Sequence, residues 1–314
     1  MKEKIRYLPL EKRMELYEKA MALRKKYGWG YVRIGRELSI PIDVVRHWLH
    51  HGRNPIRQGK PYFFEEKASP ELAYIIGVCY GDADLPKYPK PRERSGYRIR
   101  LRAKDRDFVE KFTSNIAILL GKNKQNTIGF EKGQYRIILH SYYLHKFLKR
   151  PLDDMKPFVE SYPAEFIKGL TDSEGSAKVS ISKWDRWRWL SLGISITSSN
   201  LELLRYTRKL LNRHFKIGSI IKPNHKAGSS FWKDGKKFIR NKDAYELIIG
   251  KLDDVRLFSY SIGFSITRKQ QKLIDAVDIL ENHNKGPDRV AAWLKLYKKE
   301  NNRWIRIDNP INTY

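Results

Sequence analysis

The spacing of apolar positions changes several times along the chain, and each change marks a predicted element. In LEKRMELYEKAMALRKKYG, residues 10–28, Leu16, Ala20 and Leu23 fall on one helical face, and the pattern stops at Gly28. Two shorter helical patterns follow, VRIGRELS and PIDVVRHWLHHG, the second opening on Pro41 and closing before Gly52. A longer helix followed by two short ones and a tight turn predicts a helix-turn-helix over residues 1–58. Its core is Ile34, Leu38, Val44, Val45 and Trp48, so that Asp43, Arg46, His47 and His50 project towards a major groove. Residues 59–70 fall in a stretch rich in proline, glycine and charge and read as a linker.

Beyond the linker the pattern becomes continuous. AYIIGVCYGDADL (73–85) is apolar almost all round until it meets Asp82, and FIKGLTDSEGSA (166–177) runs in the same way to Glu174. Gly77 and Gly169, Gly81 and Ser173, and Asp82 and Glu174 are each separated by 92 residues, which is the signature of an internal repeat. Each copy, 71–160 and 161–285, offers an apolar helix, a strand pair, an amphipathic helix, and a further strand with a short helix. The fold class is therefore α+β. The tail, 286–314, predicts a packing helix N-capped at Asp288, with Val290, Trp293, Leu294 and Tyr297 on one side.

Period-two alternation appears in YRIRLRAKD, where Arg98, Arg100, Arg102 and Lys104 alternate with Ile99, Leu101 and Ala103. Four cations on one strand face repel one another unless phosphates lie across them. The second copy interleaves Trp184, Trp187 and Trp189 with Lys183, Arg186 and Arg188, and basic loops around Lys222 and Lys233 extend the same surface.

Composition sharpens this picture. Lys and Arg number 63 against 35 Asp and Glu, a formal net charge of +28, which calls for a polyanionic partner. The basic residues are spread among aromatics along the whole chain, which favours nucleic acid over a membrane surface. The single cysteine, Cys79, excludes a disulfide framework and a cysteine-based zinc site. No apolar run approaches about 18–20 residues, and the start lacks a signal-peptide core. The expectation is a soluble, intracellular, nucleoid-associated protein without a membrane partner.

Chemistry enters with the two acids. Small residues at Gly77, Gly81, Gly169 and Ser173 allow two helix backbones to touch, which brings Asp82 and Glu174 together. Two neighbouring carboxylates beside a polyanion need a cation to stay ionised, and a hard divalent ion such as magnesium satisfies both. That arrangement suits metal-assisted phosphodiester hydrolysis.

The motifs GLTDSEGS and IIGVCYGDAD resemble those of the LAGLIDADG homing endonucleases in their monomeric, two-motif form, over roughly residues 68–285. The resemblance implies αββαββα halves whose sheets form a saddle over duplex DNA. It implies cleavage of both strands of a long asymmetric site with short 3′ overhangs, serving intron homing. It places the metal ligands at Asp82 and Glu174, with backbone carbonyls near Gly81 and Ser173, and implies Mg2+ with Mn2+ as a substitute. FSITRKQQKL (264–273) is similar to the family's late lysine segment, which implies that Lys269 orders or activates the water, with Arg268 next in line. The first motif departs from the pattern at Ala83 and Tyr80, leaving Asp84 as an alternative ligand. A DNA-binding regulator that has lost cleavage, and an intron-RNA maturase, remain alternative readings.

Overall fold

A computed structural model describes residues 8, 10–51, 55, 64–86, 97–122, 127–184, 187–233 and 235–307. Three helices come first: α1 (Leu10–Tyr27), α2 (Tyr31–Glu37) and α3 (Ile42–His50). Ala20, Ile34, Ile40, Val45 and Trp48 form a small core of their own, with Leu38 and Val44 half-buried beside it. Ala20, Ile34, Val45 and Trp48 thus share one apolar nucleus, as the helical spacing predicts. The unit does not stand apart from the rest. Met14 of α1 is fully buried, and Tyr97 and Tyr142 stack edge to face at 4.6 Å where the charges of Glu11, Glu15 and Glu18 reach them. Much of the linker lies outside the described residues. Phe64, at its end, is buried against Phe147.

The first repeat runs α4 (Pro70–Cys79), β1 (Arg98–Ala103), α5 (Arg106–Leu119), β2 (Gly129–Glu131), β3 (Gln134–His140), α6 (Tyr142–Leu148) and α7 (Leu152–Glu160). Ser69 caps α4 by accepting from Leu72 N, and Pro70 sits in its first turn. The strands pair antiparallel in the order β1-β3-β2. Asp84 adds a bridge to Arg100 on the free edge of β1, so a fourth short strand lies directly after the first motif.

The second repeat runs α8 (Pro163–Glu174), β4 (Gly175–Trp184), β5 (Trp187–Ser198), α9 (Leu201–Phe215), β6 (Ile220–His225), β7 (Ser230–Lys233), β8 (Lys236–Ile239), β9 (Ala244–Ile249), α10 (Leu252–Ser261) and α11 (Thr267–Asn282). Its antiparallel sheet has the order β4-β5-β9-β6, which matches bridge-β1-β3-β2 position for position. The β7–β8 hairpin is an insertion between β6 and β9. The mixed α+β class and the repeated architecture agree with the sequence expectation.

Alternation sorts each sheet into two faces. Ile99, Leu101, Ile137 and Leu139 of the first sheet, and Ala177, Val179, Leu190, Leu192, Ile194, Ile196, Leu247 and Ile249 of the second, join the main core with the helices. The opposite faces carry polar and cationic residues and stay open. α12 (Pro287–Leu296), β10 (Tyr297–Glu300) and β11 (Arg303–Arg306) complete the chain. The tail differs from expectation at its start. Gly286 caps α12 at φ +85°, Asp288 falls inside the first turn, and Tyr297 has already left the helix for β10. Trp293 is fully buried, stacks on Tyr297 at 4.0 Å and meets Trp304, whose indole donates to the Val179 carbonyl at 2.9 Å. The extension therefore covers the outer side of the long β4–β5 hairpin.

Candidate active site and nucleic-acid interface

α4 and α8 lie against each other backbone to backbone. A Cβ added at Gly77 would strike the Phe166 carbonyl oxygen and reach within 2.8 Å of Leu170 N. A Cβ at Gly169 would strike the Tyr74 carbonyl oxygen and reach within 3.2 Å of Val78 N. One turn on, a Cβ at Gly81 would strike Ser173 and come within 3.0 Å of Glu174 Cγ. The contact is nearly symmetric, and it carries both helices to their acid-bearing ends together.

Each acid sits where its helix hands over to the first strand of an open sheet face. Glu174 is the last residue of α8, and β4 begins at Gly175. α4 stops at Cys79, and Asp82 follows in the turn before the Asp84 bridge. Asp82 is exposed and Glu174 half-buried. Desolvation by the surrounding protein raises the pKa of both, the Asp82 charge raises Glu174 further, and the Lys269 charge opposes both shifts. Two desolvated carboxylates, one of which raises the proton affinity of the other, are a donor set that a hard divalent cation relieves. Among the described residues no third His, Cys, Asp or Glu joins them. Asp82 and Glu174 thus fit such an ion only with further oxygens from backbone carbonyls and from a bound phosphate.

Lys269, which the family resemblance implies orders or activates the water, sits at the C-terminal end of α8, where its charge reaches both acids. It is buried in the first turn of α11, and its ammonium donates to the carbonyls of Asp172 at 2.6 Å, Gly175 at 2.8 Å and Thr171 at 3.2 Å. It caps the C-terminus of α8, where a cation also meets the negative end of the helix dipole. Burial, the largest cause, brings its pKa down to about 8. Its donors meet backbone carbonyls at the end of the helix that carries Glu174. Arg268 is likewise engaged: its guanidinium grips Asp105 with two bonds, one of 2.7 Å, and Thr267 N donates to Asp107 at 2.6 Å. α11 is thereby tied to the N-terminus of α5 in the other repeat.

Asp172, Tyr74 and Ser265 form a group that the sequence reading passed over. Asp172 is buried and accepts from the Tyr74 hydroxyl at 2.9 Å, from Ser265 N at 2.9 Å and from the Ser265 hydroxyl. The carboxyl binds α8 to α4 and to the loop before α11, and burial raises its pKa against the effect of those bonds. The offset of 92 contains the signal that could have found it, for it places Tyr80 opposite Asp172 and Phe166 opposite Tyr74. At the mirror position Tyr80 meets Phe166 edge to face at 6.5 Å. The polar pair of one end is an aromatic pair at the other, which accounts for Tyr80 where the motif commonly has an acid. Asp84, the alternative ligand of the first motif, forms an ion pair with Arg100.

The predicted interface residues divide. Arg98, Arg100 and Arg102 share the open face of the first sheet with Arg136 and His140, as their cross-strand register shows. Arg136 pairs with Glu131 at 2.5 Å, and Arg102 is exposed. Lys104 is exposed beyond the end of β1. On the second sheet, Lys178 and Lys222 converge on the buried carboxylate of Glu246, neither Lys178 nor Glu246 having been anticipated. Lys183 and Arg188 face each other on the side of Val179, Ile181 and Leu190, away from the open face, because an even spacing from core residues keeps them on the core side. Trp189 does lie on the open face, opposite Ser182, and is exposed. Arg186 lies outside the described residues, and Lys233 lies in β7. On α3, Arg46 is exposed and paired with Asp43 at 3.1 Å, His50 is exposed against the Tyr31 ring, and His47 is half-buried beside His51. No helix among the described residues is long and apolar enough to cross a membrane.

Among known proteins, the chain is 29% identical over 282 residues to an uncharacterized protein of Methanocaldococcus jannaschii, covering 86% of this chain and 96% of that one. A second uncharacterized protein of the same organism is 33% identical over 142 residues, and the match spans 42% of this chain and about half of the relative, 51%. The solved structure of I-DmoI in complex with DNA and Mn is similar at 21% identity and a TM-score of 0.44, covering 62% of this chain and 96% of that one. The N-terminal LAGLIDADG domain of DUF199/WhiA is similar at 17% identity and a TM-score of 0.36, covering 62% and 83%. Residues 161–263 match the family described as LAGLIDADG-like domain. That stretch begins just before α8 and ends just after α10, so it contains the second motif and its entire sheet. Over that stretch the chain resembles the LAGLIDADG-like domain family.

Proposed function

We propose that the protein is a divalent-metal-dependent DNA endonuclease that cuts both strands of a long, asymmetric site and leaves short 3′ overhangs, in the service of intron homing. The reading rests on one observation above all. Two carboxylates, Asp82 and Glu174, are delivered by a glycine-tight helix pair to the point where two cationic sheet faces begin. The chain carries both motifs, so it is proposed to act as a monomer, and the helix-turn-helix over 1–58 is proposed as an additional groove-binding element.

In this mechanism the open sheet faces bind the duplex through phosphate contacts, which set position and orientation without reading sequence. Asp82 and Glu174 would hold Mg2+, or Mn2+ in its place, together with the backbone carbonyls near Gly81 and Ser173. Such an ion would supply a lowered pKa for water and stabilisation of charge on the phosphodiester. In the hydrolysis the water oxygen would bond to phosphorus as the bond to the sugar oxygen breaks, the water losing a proton to solvent and the sugar oxygen taking one up. Lys269 fixes the end of α8, and with it the direction of Glu174. Asp172, Tyr74 and Ser265 brace the same end from inside.

The test is cleavage of a library of duplexes with and without Mg2+. Wild type is expected to cut a defined site only with metal, and Asp82→Asn and Glu174→Gln to bind that site without cutting. Tight binding to a defined site with no cutting in Mg2+ or Mn2+ would make the protein a regulator. A preference for structured intron RNA would make it a maturase.

A further inference from the structure

The second repeat carries a cationic surface that belongs to neither sheet face. α9 packs on the core side of its sheet through Leu203, Leu204, Leu210 and Leu211. Its outer side presents Arg205, Arg208, Lys209, Arg213 and, at the C-cap, Lys216, all exposed. With Asn212 these residues line an open groove of about 700 Å³. Arg213 pairs with Glu160 at 3.2 Å. Arg205, Arg208, Lys209 and Lys216 have no ion-pair partner among the described residues.

The fold does not demand this charge, and the first repeat shows it. Its equivalent helix, α5, carries Arg106, Asp107, Glu110 and Lys111, in balance, with Arg106 paired to Glu110 at 2.7 Å. One helix of a repeated pair is neutral on its outside and the other is strongly basic. In a chain already at +28, unpaired cations recurring on every turn raise self-repulsion. A polyanion laid along the groove removes that cost. The row from residue 205 to 216 is about 16 Å long at ~1.5 Å per residue. Each strand of a duplex carries one phosphate about every 3.4 Å of helix axis, so the row is long enough to meet several phosphates.

A duplex on the open sheet faces cannot reach this row, because the sheet and the helix itself lie between. We propose that the outer face of α9 binds a second segment of DNA, so that the protein holds two duplexes at once. This rests on the reading that the open sheet faces bind DNA, and the two can fail separately. The experiment uses the full chain carrying Glu174→Gln, with excess short duplex, and counts duplexes per chain by sedimentation. The unmodified α9 is expected to hold two. Arg205→Ala/Arg208→Ala/Lys209→Ala is expected to hold one and to reduce the slope of log affinity against log salt by about three for the segment it loses. Arg100→Ala/Arg102→Ala should lose the other duplex, and if it loses none the sheet-face reading falls while the α9 proposal stands. One duplex per chain before the triple substitution, two after it, or displacement of the second duplex by structured RNA far below the concentration of competing duplex, would each overturn the α9 proposal.

Discussion

The two ends of the helical spine share a backbone and differ in chemistry. At the α8 end, Lys269 caps three carbonyls, Asp172 gathers Tyr74 and Ser265, and Glu174 is half-buried. At the α4 end, Cys79 and Tyr80 lie over Ile76, Leu148 and Met155, Tyr80 packs on Phe166, and Asp82 stands exposed. Met155 comes from α7 and Lys269 from α11, each the second helix after its sheet. The glycine contact therefore sets where the acids are, and the residues beneath set how firmly each is held. A motif can be complete in its backbone geometry and uneven in its support.

That comparison can be broken first at the part the ends share. Gly77→Ala and Gly169→Ala each drive a methyl into a facing carbonyl, and each is expected to cost about 3 kcal/mol or more, measured by denaturant titration. Equal losses would confirm the symmetry of the contact, and a loss at one position alone would refute it.

Lys269→Met makes the α8 end resemble the α4 end. Removing charged hydrogen bonds to buried carbonyls is expected to cost ~1–3 kcal/mol and to slow cleavage with binding unchanged. It should also weaken a pH dependence. The folded pKa of about 8 lies below the value of ~10.4 in the unfolded chain, so between them the unfolded state binds more protons. Stability should rise with pH across that window in the wild type and rise less steeply in Lys269→Met, where Lys272, also brought down to about 8 by burial, keeps its own share. A slope unchanged by the substitution would assign it to another group.

Tyr74→Phe removes one of the bonds to Asp172 and is expected to cost about 1 kcal/mol. Phe166→Tyr adds a hydroxyl at the mirror position, beside Tyr80. A gain in stability there would show that the α4 end already offers a partner for it.

The smallest effect belongs to the sheet faces. Asp84→Asn frees Arg100 and should steepen the salt dependence of DNA binding by about one ion, read from binding at several salt concentrations. No change in slope would place Arg100 away from phosphate.

Much of this was legible in the sequence. The shared offset revealed the repeat, the glycine spacing revealed the helix contact, and both acids lie where those patterns place them. The alternation in β1 put Arg98, Arg100 and Arg102 on one face correctly, and strand parity could have moved Lys183 and Arg188 to the opposite side. What stayed hidden depends on contacts between residues far apart in the chain. The backbone and Asp105 contacts of Lys269 and Arg268 were not visible in the sequence, because the carbonyls of α8 and the carboxylate of Asp105 meet them only in three dimensions. Nothing in the sequence marks Glu246, because Lys178 and Lys222 come to it from two other strands. The tail helix was visible, and the hairpin surface it covers was not, because nothing local in either segment records the other.

The Tyr74–Asp172 bond has a consequence for how such a chain can diverge. In a dimer of identical halves, each substitution appears twice, so an acid at the Tyr80 position would face the same aromatic on both sides of the axis. Joining the copies in one polypeptide lets a residue and its mirror mutate independently. The bond between Tyr74 and Asp172, set against the ring contact of Tyr80 with Phe166, is a difference that only a fused gene can inherit.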